Sequence, residues 1–450
     1  MPKQYFSSKK KSDRTLLRIF IAVILMLIAV YGVYRLIYWS PEFMKNKNIV
    51  EKILPTSEKT NENPFEYFKK LWDESKYDEL RTELKKYIKK EKNTENLTQA
   101  CLMLINVEKK AGNMNDAFSV AEEAQQKCTG SMQYPYLLYQ YALTAEDINK
   151  KDIARSTYQT IIDRFSKGNR VYGYYGLARL EEKENNKIKA RDYAQLAVAD
   201  APWDSDIWNE ALDLLGKLNV ELIFSNIPTP ESRVYTVQKG DTIITIGTKL
   251  NTPVGMLCRA NQLEENAVLR PNQTLKYTPK DFRLFVERSK CRAFLVDDQG
   301  IFKRYKVGLG KPGHETALGS YKIGNKQKNP TWFKPGEGPI PAGDPRNELG
   351  TRWMPLVPSE PGLPTDLGLH GTIAPETVGT YSSNGCVRFY PEEVEEIYDL
   401  IVRSTPVFIK EVVNYEDIFP IEKIDVGISE TTPEKKQDTE TKTKTEIKTP

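Results

Sequence analysis

The chain has few of the residues that build metal and redox centres. Its 450 residues include only two histidines and five cysteines. None of the cysteines forms a C-x-x-C pair, so the common zinc and dithiol motifs are excluded, and the sequence predicts neither a metal ion nor an organic cofactor. An odd number leaves at least one thiol unpaired within a monomer, and Cys386 is the candidate. Whether Cys101 pairs with Cys128, or both are small buried hydrophobes, stays open at this point.

An excess of charge of one sign is also missing. The 65 Lys and Arg residues nearly balance the 61 Asp and Glu residues, and the formal net charge is +4. After residue 18 no basic stripe with interleaved aromatic residues occurs, so nucleic acid is not expected as a partner. Apolar residues make up 39% of the chain, which suffices for two to four domains with cores.

Long apolar runs are absent except at residues 16–39. The uncharged centre of this run is bounded by Arg18 and Arg35, and it is long enough to span a bilayer. Basic residues in the preceding segment, 1–15, favour a cytoplasmic N-terminus. The run ends in bulky aromatic residues with no small-x-small cleavage site, so an uncleaved anchor is favoured over a signal peptide or a core helix. We expect a single-pass protein of the plasma (inner) membrane, with residues 40–62 as a linker and the rest extracytoplasmic.

Residues 63–224 show a helical pattern that repeats. A shift of 36 positions aligns small, aromatic and polar residues, and Ala117 lies 37 positions before Ala154. The aligned pairs are Tyr139 with Tyr175, Ala142 with Ala178, Ala154 with Ala190, Arg155 with Arg191, Gln159 with Gln195, and Ile162 with Val198. Small residues at such points let paired helices approach closely, and the pattern resembles tetratricopeptide-like arrays, which implies a protein partner. The alternative is an irregular helical spacer.

Residues 233–278 have a different, compact pattern that predicts a strand, two helices and a second strand. Asp241 is expected to be the N-cap of the first helix, and Thr252 with Pro253 is expected to open the second. The segment resembles a LysM module, which implies binding of glycan strands that contain N-acetylglucosamine, such as those of peptidoglycan. A purely structural module is the alternative. The candidate glycan-binding residues are Gly240, Asp241, Thr242 and Asn261.

The segment from His370 to Cys386 is the strongest functional signal in the chain. It sets an imidazole and a thiol sixteen positions apart among glycines. A histidine within hydrogen-bond reach can take the thiol proton and later return one to a leaving amine. The glycine before the cysteine leaves backbone N–H groups free, so those of Asn384, Gly385 and Cys386 are the candidate oxyanion donors. Ser383 is expected to bond the turn, and His314 to be a solvated loop residue.

The order of these residues resembles the active-site signature of the YkuD-like L,D-transpeptidases. The residues that carry it are His370-Gly371-Thr372 and Ser383-Asn384-Gly385-Cys386-Val387-Arg388, and further matches are Val307 to Lys311, Gly319 to Tyr321 and Asn329 to Trp332. The resemblance covers 281–411. It implies that Cys386 is the nucleophile, that His370 is the general base and acid, and that the Gly371 carbonyl orients the imidazole. Asn384 stands where many relatives have a second histidine, so no role of that histidine is carried over.

Two residues near this signature are candidates for substrate binding. Trp332 lies in the loop expected on the substrate side. Arg388 follows the nucleophile by two positions, where it either holds a substrate carboxylate or braces the loop.

The sequence thus predicts a multidomain protein. Its expected parts are an N-terminal transmembrane helix, an all-α helical repeat region, a small βααβ LysM-like module, a mostly β YkuD-like catalytic domain and a disordered tail at 428–450. The expected activity is that of a cell-wall L,D-transpeptidase, which acts on stem peptides of peptidoglycan. The alternatives are an L,D-carboxypeptidase with the same nucleophile and a non-catalytic scaffold that tethers the wall.

Overall fold

The computed structural model describes residues 63–334 and 336–419. The expected anchor at 16–39, its linker and the tail at 428–450 lie outside these residues. In the described part of the chain, no helix is long and apolar enough to cross a membrane.

The first part of the described chain, up to residue 223, is helical. Its helices are α1 (Pro64–Asp73), α2 (Tyr77–Ile88), α3 (Thr94–Lys110), α4 (Met114–Lys127), α5 (Tyr134–Asp147), α6 (Lys151–Arg164), α7 (Val171–Lys183), α8 (Lys187–Asp200) and α9 (Asp206–Ile223). From α2 onward each helix packs against the next, and α3, α5, α7 and α9 also contact one another in that order. The alanines of the repeat pattern are fully buried where these helices meet. A consistently packed helical array results, in agreement with the helical region expected from the sequence.

Four turns in this array share one geometry. Each has a left-handed residue, Ser75, Gly112, Asn149 or Asn185, with φ between 59° and 80°. The next N–H in each turn reaches a carbonyl five residues back, at 2.8 to 2.9 Å. Glycine and asparagine tolerate this conformation best, and such bonds satisfy carbonyls at the end of a helix. The repeat is therefore visible in the backbone as well as in the sequence.

The segment that follows has the expected order of strand, helix, helix and strand. β1 (Arg233–Thr236) pairs antiparallel with β2 (Thr274–Tyr277), and α10 (Ile243–Lys249) and α11 (Val254–Asn261) lie between them. The expected N-cap at Asp241 is wrong. Thr242 caps α10 through a reciprocal bond with Thr245, while the Asp241 carboxylate accepts from the Tyr235 hydroxyl and the Gln238 N–H, both at 2.8 Å.

The C-terminal part is mostly β, as expected. The strands are β3 (Arg283–Glu287), β4 (Arg292–Asp297), β5 (Gly300–Lys306), β6 (Leu309–Gly310), β7 (Gly319–Ile323), β8 (Gln327–Lys328), β9 (Trp332–Phe333), β10 (Pro339–Ile340), β11 (Arg352–Pro358), β12 (Gly368–His370), β13 (Tyr381–Ser383), β14 (Val387–Arg388) and β15 (Pro406–Lys410), with helices α12 (Pro391–Leu400) and α13 (Tyr415–Ile418). The main sheet has the order β14-β12-β11-β7-β15-β3-β4-β5, and β8 pairs with β11. β12 runs parallel to β14, and β15 runs parallel to β3.

Both faces of the main sheet are covered. On one face α12 packs Val394, Ile397 and Leu400 into a core that includes β3, β7, β11 and β12. On the other face α9 packs Trp208, Leu212 and Leu215 against Phe285 and Phe294. Alternate residues of β3 and β4 therefore point into two different cores, which explains why these strands are apolar throughout.

The LysM-like segment is also held against its neighbours. The buried Lys276 donates to the carbonyls of Leu222 and Ser225, at 2.8 and 2.7 Å, just where α9 ends. Arg259 of α11 lies 3.5 Å from Asp399 of α12, and Lys328 of β8 forms an ion pair with Glu265. Cations suit the carbonyl end of a helix, so Lys276 both closes α9 and anchors the segment.

Candidate active site

Two short parallel strands bring the candidate nucleophile and base to one edge of the sheet. In the β12 and β14 ladder, Leu369 lies opposite Val387 and His370 lies opposite Arg388. Cys386 directly precedes β14. Because the strands run in the same direction, Cys386 lies beside the beginning of β12 and His370 lies at its end. Residues sixteen positions apart in sequence thus line the same cavity.

The turn before Cys386 is fixed by Ser383. The Ser383 hydroxyl donates to the Cys386 carbonyl at 2.7 Å and accepts the Gly385 N–H at 3.1 Å. Gly385 has φ of 118°, a conformation that favours glycine, and a Cβ at this position would lie 3.1 Å from Leu367. The Gly385 N–H is already bonded to Ser383. The N–H groups of Asn384 and Cys386 have no hydrogen-bond partner in the described chain, so these two remain the candidate oxyanion donors.

The His370 ring is held in one orientation. Its Nδ1 lies 2.7 Å from the Gly371 carbonyl. A carbonyl can only accept, so Nδ1 carries the proton and Nε2 is left with a lone pair. Burial, and then the nearby charge of Arg388, lower the pKa of His370 to about 4. The imidazole is therefore neutral at physiological pH and can accept a proton at Nε2.

The Cys386 thiol is protonated in the resting site. Burial, opposed by the Gly368 backbone, raises the pKa of Cys386 to about 11, and the negative charge of Asp366 acts in the same direction. The sulfur lies 3.9 Å from the Asp366 carbonyl oxygen. Among the described residues no hydrogen bond joins the thiol to the imidazole. Thiol and imidazole are thus both uncharged, and proton transfer between them is a step of the reaction.

Arg388 is engaged with a residue of the neighbouring loop. Its Nη2 lies 2.8 Å from Glu348, and the guanidinium is largely buried. Gly308 and Arg388 are joined by two backbone hydrogen bonds, both at 2.8 Å. Of the two roles considered for Arg388, this contact corresponds to bracing the loop, because its charge already has a carboxylate partner.

A cavity of about 470 Å³ connects these groups. Its lining includes most of the site residues predicted from the sequence, namely Trp332, His370, Ser383, Asn384, Cys386 and Arg388. It also includes residues that the sequence analysis missed, namely Glu348, Trp353, Asp366, Gln327 and Phe333. Trp353 lies opposite His370 in the β11 and β12 ladder, with ring centroids 5.9 Å apart. His314, in contrast, is exposed in a turn outside this lining, as expected.

Most of the candidate glycan-binding residues make hydrogen bonds within the LysM-like module itself. The Asn261 side chain bonds the backbone of Leu257 and Lys276 at 2.7 to 2.8 Å, so its amide holds α11 to β2. Thr242 and Asp241 make the capping and turn contacts described above. Gly240, with φ of 92°, is exposed, and nothing lies within 4 Å of the position that a Cβ would occupy there. Three of the four candidates therefore take part in the internal bonding of the module.

Comparisons with known proteins agree with this geometry. The YkuD family of L,D-transpeptidase catalytic domains matches residues 281–409, and the LysM domain family matches residues 235–278. The putative L,D-transpeptidase YqjB of Bacillus subtilis is 31% identical over 134 residues, which are 29% of this chain and 72% of that protein. The chain belongs to the YkuD family of L,D-transpeptidases. A second relative, the putative L,D-transpeptidase YkuD of Bacillus subtilis, is 25% identical over 39% of this chain and 97% of its own length.

Solved structures with a similar domain are also L,D-transpeptidases. One is L,D-transpeptidase 3 from Mycobacterium tuberculosis in complex with a faropenem-derived adduct, with 14% identity over 31% of this chain and 65% of that chain, and a TM-score of 0.25. Another is the catalytic domain of the E. faecium L,D-transpeptidase, with 21% identity over 29% of this chain and 97% of that domain, and a TM-score of 0.24. The family assignment rests on the sequence matches.

Proposed function

We propose that this chain is a peptidoglycan L,D-transpeptidase that cross-links the stem peptides of the cell wall. The observation that carries the proposal is one cavity lined by the Cys386 thiol and by the His370 imidazole, whose Nδ1 is bound to the Gly371 carbonyl. These are the two groups that acyl transfer through a cysteine requires. The family relatives, which are named as L,D-transpeptidases, support the same reaction.

In the first half-reaction, the Cys386 sulfur attacks the carbonyl carbon of the third residue of a stem tetrapeptide. The thiol proton moves to Nε2 of His370, a sulfur–carbon bond forms, and the carbon–nitrogen bond to the terminal D-alanine breaks as its amine receives the proton. The N–H groups of Asn384 and Cys386 are the proposed oxyanion donors. Loss of one such donor typically costs about 3 to 4 kcal/mol of transition-state stabilisation.

In the second half-reaction, an amine of another stem attacks the thioester carbon. A nitrogen–carbon bond forms, the carbon–sulfur bond breaks, and the proton from the amine returns to the sulfur through His370. If water takes the place of the amine, the product is a shortened stem, and the enzyme is an L,D-carboxypeptidase. The products therefore distinguish transfer from hydrolysis.

The test is mass spectrometry of the products that the purified full-length chain forms from a disaccharide tetrapeptide. We expect cross-linked dimers and free D-alanine. Cys386→Ala should form neither, whereas Cys258→Ala, which changes a buried cysteine of the LysM-like segment, should form both. Shortened monomers without dimers would support the hydrolase. Equal D-alanine release by folded Cys386→Ala would contradict the cysteine mechanism, and no release by the folded wild type would support the scaffold.

We also infer that residues 233–278 hold the enzyme on glycan strands and that residues 16–39 anchor it in the membrane, with the enzyme extracytoplasmic. The LysM match and the wall substrate support an extracytoplasmic site. The basic residues before the apolar run support the orientation. A reporter that works only outside the cytoplasm, fused after Pro420, should be active, and activity of a cytoplasm-only reporter there would contradict the orientation.

The helical array at 63–224 is proposed to be tetratricopeptide-like and to bind a protein partner. Its support is the recurrence of the same left-handed turn at residues 75, 112, 149 and 185, together with the packing of each helix on the next.

A further inference from the structure

The charges that line the catalytic cavity do not balance. Two carboxylates, Glu348 and Asp366, and one guanidinium, Arg388, line it. Glu348 and Arg388 offset each other through their contact at 2.8 Å. The Asp366 carboxylate is exposed and has no ion pair or hydrogen bond with any residue that the structure describes. Since His370 is neutral, the cavity carries one negative charge without a partner.

Asp366 lies directly beside the nucleophile. Its carbonyl oxygen is 3.9 Å from the Cys386 sulfur, and its charge acts with burial to keep the pKa of the thiol high. The loop position is fixed by the next residue, Leu367, which is buried and lies close to Gly385. The backbone of Asp366 is therefore held beside Cys386 by the same packing that shapes the Cys386 turn, and its carboxylate is on the lining of the same cavity.

By itself, this placement of Asp366 opposes catalysis. A negative charge near the sulfur disfavours the thiolate, which is the reactive form. A cation that pairs with Asp366 would remove this opposition. An ammonium group of the substrate would supply such a cation, and no described lysine or arginine pairs with Asp366 in competition with it.

We propose that Asp366 binds a primary ammonium group of the peptide substrate next to Cys386, and that it thereby selects amine-bearing peptides over uncharged ones. This inference rests on the proposed function and names a specificity-determining residue within it. The ammonium group has two sources, the side chain of a diamino residue in the acyl donor and the amine of the acyl acceptor. Both present the same chemistry to a carboxylate.

The variant that tests the proposal is Asp366→Asn, which keeps the size of the side chain and removes its charge. The matched control is Glu360→Gln, an exposed carboxylate on the same connection between β11 and β12 that does not line the cavity. Each protein is given a tetrapeptide donor with a free side-chain amine and the same peptide with that amine acetylated. The rate of release of the terminal amino acid reports the donor arm. Transfer from the acetylated donor to an amine acceptor reports the acceptor arm.

In at least one arm, Asp366→Asn should lower kcat/KM for the amine-bearing peptide by about fivefold, which corresponds to roughly 1 kcal/mol, the upper end for one exposed charge contact. The acetylated peptide in the donor arm should be turned over equally by both proteins. If the donor supplies the ammonium group, the wild type and Glu360→Gln should turn over the free-amine donor faster than the acetylated donor. If the acceptor supplies it, both proteins should transfer to the amine acceptor faster than Asp366→Asn does. Equal kinetics of wild type and Asp366→Asn in both arms would overturn the proposal.

Binding to the Cys386→Ala protein separates this inference from the proposed function, because it needs no turnover. Calorimetry should show weaker binding when the amine of the same tetrapeptide is acetylated, and this difference should vanish in Cys386→Ala with Asp366→Asn. If the wild type turns over neither peptide but this difference persists, the transpeptidase proposal fails and the ammonium site stands. If the wild type is active but no variant or peptide changes binding or kinetics, the ammonium site fails alone.

Discussion

His370 and Cys386 enter the reaction from uncharged forms. The pKa of about 4 for the imidazole and of about 11 for the thiol leave little of the imidazolium and thiolate pair at neutral pH. Burial is the largest cause of both shifts, since it disfavours either charge. The free enzyme is therefore expected to have a slow thiol that becomes reactive when a substrate changes its surroundings.

The pH dependence of alkylation tests this state of the thiol. The rate at which iodoacetamide modifies Cys386 should rise steadily from pH 7 to pH 10, because the thiolate fraction grows up to the pKa near 11. Peptide mapping by mass spectrometry measures the rate at this one cysteine. A plateau that begins below pH 7 would mean that the resting site holds an ion pair instead.

Which residues of the site could be read from the sequence depends on how local their signals are. Cys386, His370 and Ser383 belong to short motifs, so their types and spacing suffice. Glu348 and Trp353 reach the site only through the loop contact with Arg388 and the β11 register, which no local pattern reveals. The N-cap prediction at Asp241 failed for a related reason. Its carboxylate found closer donors in the preceding turn.

Helix α12 contains a buried carboxyl group, that of Glu393, whose ionisation is unfavourable. Glu393 lies in its first turn, and one carboxylate oxygen is buried without a partner. Burial raises the pKa of Glu393 to about 7, and Lys303 opposes this only in part. The acidic neighbours Glu396, Glu392 and Asp213 act in the same direction as burial. Helix α12 is therefore most stable when Glu393 is protonated.

The free energy of unfolding should depend on pH through the ionisation of Glu393. Between about pH 4.5 and pH 7 the folded chain binds more protons at Glu393 than the unfolded chain, so the free energy of unfolding should fall as pH rises through this window. Glu393→Gln should reduce this fall and should stabilise the protein at pH 8 by about 1 kcal/mol or more. Urea unfolding of wild type and variant at pH 5 and pH 8 measures it. An unchanged difference between the two pH values would contradict the assignment.

The apolar stripe of α12 follows from the period of its sequence, whereas the partner of α9 does not. Val394 and Ile397 recur at helical spacing, and their burial against the sheet follows directly. Helix α9 shows a similar pattern, but periodicity says only that one face is buried. That this face meets Phe285 and Phe294, rather than another repeat helix alone, depends on contacts far apart in sequence.

At the scale of the described molecule, the end of the helical array and the catalytic sheet share one core. Besides the apolar contacts, Asn219 donates to the Phe302 carbonyl at 2.8 Å, and Arg304 lies 2.7 Å from Asp213. The sequence predicts 63–224 and 281–411 as successive segments. The shared core implies instead that α9 is part of the support of the catalytic sheet.

A cavity created in this shared core should destabilise both the helical array and the catalytic sheet. Leu212→Ala removes a fully buried side chain of α9 and should lower the free energy of unfolding by about 2 to 5 kcal/mol. Helical signal and Cys386 protection should be lost at the same denaturant concentration, which circular dichroism and thiol labelling measure in parallel. Leu196→Ala, a half-exposed leucine of α8, is the control and should have little effect. Two separate transitions in Leu212→Ala, with the catalytic sheet unaffected, would contradict the shared support.

The central claim is that the Cys386 sulfur forms the acyl-enzyme, and the most direct measurement is peptide mapping after reaction with a carbapenem, an acylating agent to which the family resemblance implies sensitivity. The full-length wild type should carry one adduct, located at Cys386. Folded His370→Ala should form it far more slowly, because Nε2 no longer accepts the thiol proton, and Cys386→Ala should form none. An adduct on another residue, or an undiminished one in Cys386→Ala, would contradict the account.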